Sequence, residues 1–124
     1  MSLLRRLERE ARGGTAHGSL NGATPVEFVA TPAAGFVREV DSVRLANIDT
    51  AAVDIHIRKT VAGPTNYEFD SAMALAVNGK FDPVDSQHVV RLAEGESITA
   101  VMGGAAATTN PAWIASWVDV PVPV

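Results

Sequence analysis

The chain has 124 residues, 47% hydrophobic and 19% charged, which is the composition of one folded globular domain rather than of a disordered chain. A domain of this size hides roughly two-thirds of its unfolded surface, so it builds a core without staples. Its 0 Cys exclude a disulfide or thiolate chemistry, and its net charge of −4 argues against nonspecific binding to nucleic acid, which needs many Lys and Arg contacts to phosphate. No apolar run approaches the roughly 20 residues of a membrane-spanning helix.

Residues 2–12 read as a short amphipathic helix or arm. Leu3, Leu4, Leu7 and Ala11 share one helical face, and Arg5, Arg6, Arg9 and Arg12 outweigh Glu8 and Glu10. The first twelve residues hold a local +2 against a net −4, which leaves the body at −6. A helix this short is marginal alone, since isolated helices below about 12–15 residues rarely hold in water. It packs on its own domain, frays as a tail, or docks on a partner through Leu3, Leu4, Arg5, Leu7 and Arg9. The segment lacks the apolar stretch of a signal peptide. Gly13, Gly14 and Gly18 then mark a linker, which places an arm and Gly-rich linker at 1–20 and the domain proper at 21–124.

The domain reads as a succession of strands. Pro25 to Thr31 carries Val26 and Phe28 on one face, and Pro32 stops it. Phe36 to Ile48 is long and changes parity, with Phe36 and Val40 on one and Val37, Val43 and Leu45 on the other, which predicts a bulge inside it. Asn47 to Thr50 turns the chain into the clearest strand of all. There Val53, Ile55 and Ile57 alternate with Asp54, His56 and Arg58, so the β-branched set faces a core and the polar set faces water.

Tyr67 to Val77 follows the turn at 62–66. Asn78-Gly79 is the best local hairpin signal, because both residues tolerate positive φ. Phe81 to Leu92 contains Pro83, which predicts an irregular first half or an edge. Ala93-Glu94-Gly95-Glu96 turns into Ser97 to Met102. Gly103 to Pro111 is a small-residue loop with nothing of its own to bury, expected to be the most mobile part of the domain. Ala112 to Val120 closes the series with apolar residues on both faces: Ile114, Val118 and Val120 on one, Trp113 and Trp117 on the other. Such a strand is covered on both sides or meets a partner subunit. The count is about seven or eight strands with no helix between them, which predicts an all-β antiparallel sandwich or jelly roll.

Chemistry is sparse. His17, His56 and His88 sit at no metal-ligand spacing with one another or with Cys. A folded site joining His56, His88 and Asp54 has no local support. Asp82 and Asp85 lack the alternating Asp/Asn loop with central Gly that calcium sites favour, and Glu94 and Glu96 flank a solvated turn. There is no Gly-x-Ser-x-Gly elbow, and no Lys-Ser/Thr follows Gly103-Gly104. No catalytic residue, metal or cofactor is therefore assigned. Trp113 and Trp117, about 13 Å apart by the strand rise, make either an aromatic platform for sugar together with Tyr67, or a core or interface pair.

Two stretches carry a resemblance. Val43-Arg44-Leu45-Ala46-Asn47-Ile48-Asp49-Thr50-Ala51-Ala52-Val53-Asp54-Ile55-His56-Ile57 is a strand, an Asn-containing turn and a strictly alternating strand. Val89 to Ile98 repeats the rhythm, with Leu92, Gly95, Glu96 and Ile98 as anchors. Over residues 36–120 the chain resembles a broad group of small β-sandwich structural proteins encoded by tailed bacteriophages. The resemblance implies a non-enzymatic virion protein assembled in the host cytoplasm, first of all a capsid decoration (cement) protein that stabilises the assembled head. It implies the major capsid protein or other virion subunits as partners, with neither nucleic acid nor membrane, and a homo-oligomer, a trimer by analogy. Trp113 and Trp117 join the arm as interface candidates. A tail or neck component, a carbohydrate-binding sandwich and a jelly-roll enzyme built on His56 and His88 are the alternatives.

Overall fold

The structure, a computed structural model, describes residues 12–61, 66–85 and 87–122. The described chain forms nine strands: β1 (Arg12–Ser19), β2 (Val26–Val29), β3 (Phe36–Ala46), β4 (Val53–Thr60), β5 (Asn66–Leu75), β6 (Lys80–Val84), β7 (Val90–Leu92), β8 (Ser97–Met102) and β9 (Ala112–Pro121). They make two antiparallel sheets. One has the order β1-β9-β3-β6, with β7 beside β6 on the same edge of β3, and the other the order β2-β8-β4-β5. Every connection except β4–β5 and β6–β7 crosses from one sheet to the other, which is the winding of a jelly roll. The all-β sandwich read from the sequence is the observed fold.

The alternation of β4 builds the middle of the core. Val53, Ile55 and Ile57 are buried between the sheets with Leu75, Ile98, Ala100 and Met102, while Asp54 is exposed. In the other sheet the expected bulge lies between Val40 and Ser42, where the register against β9 slips. That slip puts Val40, Val43 and Leu45 on the core side together, although their parities differ. Pro83 sits in β6 on an outer edge, as a residue without an N–H donor requires.

Three local readings change. Gly13 to Ser19 is not a linker but most of β1, in unbroken register with β9 from Arg12↔Asp119 to Ser19↔Ala112. The reason lies in the partner strand. Gly14 pairs with Trp117 and Gly18 with Trp113, and the indoles lie across the glycines. A Cβ at Gly14 would stand 2.6 Å from Trp117 Nε1, and one at Gly18 3.2 Å from the Trp113 ring. The tryptophans occupy the volume that side chains on β1 would need, so the glycine strand is packed by its neighbour.

The second change concerns Asn78-Gly79. Asn78 has φ 62° and Gly79 N–H donates to the Ala76 carbonyl at 2.8 Å, so the tight turn is there. It does not close a hairpin, because β5 and β6 belong to different sheets. The third is the end of the last strand: it runs past Val120, with Pro121 in β9 opposite Phe36 and Val122 N–H bonding the Gly35 carbonyl at 2.8 Å.

Candidate functional site: the outer face of strand β9

Most of the notable polar side chains serve the fold itself. Asn47 is buried and its Nδ2 donates to the carbonyls of Ala51, Leu75 and Ala76 at 2.9–3.1 Å, while its Oδ1 accepts from Asp49 N–H. One amide thus ties the turn before β4 to the turn after β5.

Asp49, only 3% exposed, holds the small-residue loop. Its carboxylate accepts the backbone N–H groups of Ala107, Thr108 and Thr109 at 2.8–3.1 Å, the Thr108 hydroxyl, and the Thr50 N–H. These donors, Thr108 and Ala107 foremost, hold its pKa well below the ordinary carboxylate value, against the opposing effect of desolvation. The segment 103–111 is therefore a loop anchored from 58 residues away in sequence, not the loosely hung one expected from its composition. A pocket of about 250 Å³ lies beside it, lined by Asp49, Ala51, Asp54, Met102 and Gly104 among others.

The histidines do not converge into a site. His17 is exposed on β1, and His56 is half-buried on β4. His88 is exposed ahead of β7, its Nδ1 3.0 Å from Asp85 Oδ1. Asp85 also caps its own turn through Gln87 N–H and His88 N–H, and with the His88 contact these donors lower its pKa. Among the described residues no cluster of three or more His, Cys, Asp or Glu has the arrangement of a metal site. Asp82 pairs with Arg44 at 3.0 Å, and Glu96 with Lys59 at 3.2 Å.

The two tryptophans lie on the inward face of β9. Trp113 is 8% exposed and stacks on Phe28 with centroids 4.5 Å apart, so it is a core residue and not an open anchor. Trp117 is half-buried against the core, with the Arg38 guanidinium 4.7 Å from its ring centroid. Arg38 in turn makes a two-pronged pair with Asp119 at 2.7 and 2.9 Å and donates to the Ala30 carbonyl. That cluster closes one end of the sandwich. An exposed sugar platform needs free indole faces, and this geometry does not provide them. The arm candidates Leu3, Leu4, Arg5, Leu7 and Arg9 lie outside the described residues.

What the sequence did show about β9 was its second apolar row, and that row is the outward one. Ile114 is 50% exposed, with Val118 and Val120 further along the strand and Val37 opposite Val120 on β3. The row is flanked on β1 by Thr15 opposite Ser116 and His17 opposite Ile114. On β3 it meets Arg44 opposite Ile114 and Glu39 opposite Val118. Beside Ile114 a groove of about 430 Å³ is lined by Arg44, Ala46, Lys80, Asp82 and Ala112, among others. Ser116 interrupts the row between Ile114 and Val118, its hydroxyl donating to Asp41 Oδ1 at 2.6 Å; apolar residues amid charged ones are the composition of a protein-binding patch. Parity alone could not rank the two rows; the missing signal was the glycine spacing on β1, which matches that of the tryptophans.

No protein-family model and no curated protein matches the chain. Among solved structures it is similar to a chain described under "Bacillus endospore appendages form a novel family of disulfide-linked pili", with a TM-score of 0.53, 11% identity, and coverage of 91% of this chain and 88% of that one. It also aligns with a chain of the cyanophage Pam1 capsid asymmetric unit, with a TM-score of 0.40, 16% identity, and coverage of 91% and 84%. At 11% identity the likeness to the Bacillus appendage chain is one of fold, and the disulfide linkage its description names has no counterpart in these 124 residues, which contain 0 Cys.

Proposed function

We propose that the protein is a non-enzymatic structural subunit of a tailed-phage virion, a capsid decoration protein that docks on the assembled head through the outer face of β9. The observation that carries the reading is the outward row of β9, where Ile114 is 50% exposed and Val118 and Val120 are half-buried, with Arg44, Glu39 and Asp82 around it. The sequence resemblance to phage β-sandwich structural proteins supports it. So does the use of Asn47, Asp49, Arg38 and Asp119 in bonds that hold loops and ends. The fold shared with a chain of Bacillus endospore appendages, described as pili, supports a structural role, though fold alone does not assign function. A subunit that binds the finished shell and not its free components stabilises that shell by mass action.

Cosedimentation with purified tailed-phage heads and with their unassembled capsid protein tests this. The expected result is binding to heads and not to free subunits, with Ile114→Asp reducing head binding at least tenfold and leaving the fold intact. Binding to neither, or binding that Ile114→Asp leaves unchanged, overturns the reading.

A further inference from the structure

A sheet edge is a row of free backbone donors and acceptors, and folded proteins guard such rows with breaks, bulges, charges or proline. Among the described residues, three of the four sheet edges are guarded. The β6/β7 edge is split into strands of 5 and 3 residues and contains Pro83. The β2 edge is 4 residues long with a register shift between Glu27 and Val29. The β5 edge has two register shifts against β4 and carries Glu68 and Asp70 in its sequence. The fourth edge, β1, runs 8 residues in unbroken register, and from Gly13 to Ser19 it has no charged residue, no proline and no bulge.

The groups that face outward can be assigned. Leu20 N–H bonds the Pro111 carbonyl, and Val122 N–H, on the other side of β9, bonds Gly35. Alternate residues of an antiparallel ladder bond the same neighbour. Arg12, Gly14, Ala16 and Gly18 therefore bond β9, and Gly13, Thr15, His17 and Ser19 direct their N–H and C=O groups to the free edge.

We propose that this edge pairs with β1 of a second copy, antiparallel about a two-fold axis at Ala16. The four outward residues are self-complementary about that point. Gly13 meets the partner's Ser19, and Thr15 meets the partner's His17, so all four residues of each strand exchange both of their hydrogen bonds. The row holds no Asp, Glu, Lys or Arg, and His17 faces Thr15 rather than a second His17, so no like charges are set opposite each other across the seam. The pairing joins the β1-β9-β3-β6 sheets of two copies into one continuous sheet and sets their outer β9 rows side by side. Because the contact is isologous it closes as a dimer and leaves no second β1 edge to propagate. It is a two-fold contact, not the trimer implied by the resemblance.

Light scattering on the full chain over a concentration series tests the proposal. The expected mass is twice 13.0 kDa. Thr15→Pro removes only an outward N–H, so it yields a monomer whose near-ultraviolet signal from Trp113 and Trp117 is unchanged, whereas Ala16→Pro removes a donor used by β9 and loses that signal. Should Thr15→Pro not fold, side-chain variants decide the register. Thr15→Lys with His17→Lys sets Lys against Lys twice across the seam and raises the dissociation constant at least tenfold, while Thr15→Glu with His17→Lys sets Glu against Lys and restores the dimer. A monomer at every concentration, a trimer, a dimer indifferent to these variants, or a dimer that appears only after residues 1–11 are removed overturns the proposal.

Discussion

Two stretches of this protein are built from nearly the same residues and end in opposite conformations. Gly13 to Ser19 and Gly103 to Asn110 are both rich in Gly, Ala and Thr, and neither carries a large apolar side chain. The first is a strand, because Trp113 and Trp117 on β9 fill the space above its glycines. The second is an irregular loop, gathered by one carboxylate, Asp49, onto three successive backbone N–H groups. Small residues leave the backbone open to whatever the rest of the fold brings to it. An indole favours a flat, extended segment it can lie across, and a carboxylate favours a curled one whose donors converge.

The sharpest way to break the comparison is to remove the tryptophan. Trp113→Ala takes away the stack on Phe28 and the cover over Gly18, and is expected to destabilise the fold by about 3–5 kcal/mol, read by urea unfolding. The next test sets the two stretches against each other. Gly14→Ala places a methyl 2.6 Å from the Trp117 ring and is expected to lose about 1–3 kcal/mol. Gly104→Ala meets nothing within 4 Å and should stay within about 0.5 kcal/mol of the parent. Equal effects at the two positions would mean that Trp117 does not lie across β1.

A smaller effect is expected at the carboxylate, and it depends on pH. The folded-state pKa of Asp49 lies below its ordinary value of 3.8, so its contribution is present above that value and fades as the pH falls below it. Asp49→Asn should lower the melting midpoint at neutral pH, because the Nδ2 cannot accept the Ala107 N–H. It should also flatten the loss of stability below about pH 4 seen in the parent. Melting curves at a series of pH values check both, and an acid limb of unchanged steepness would assign it to other carboxylates.

Much of the fold was legible in the chain. The alternation in Val53 to Arg58, the parity change in Phe36 to Leu45 and the proline in β6 each state a local geometric fact, and each appears as read. The candidate interface was half legible: two apolar rows on β9 were visible, and the outward one could not be chosen. Choosing it required knowing that β1 presents glycine at the positions opposite Trp113 and Trp117, and those strands are separated by most of the chain.

The division follows from range. Side-chain parity, turn chemistry and the place of a proline act between neighbours, so an all-β protein with most of these strands and turns is legible in the residues alone. Whether Asn78-Gly79 closes a hairpin or crosses between sheets, whether a glycine run is a linker or a strand, and which face of β9 is buried were decided by tertiary structure alone. In each case the deciding group sits on an element far away in sequence: Asn47 for the Asn78 turn, the tryptophans of β9 for β1, and the glycines of β1 for the buried face of β9. Their packing and hydrogen bonds exist only once the two sheets have closed on each other.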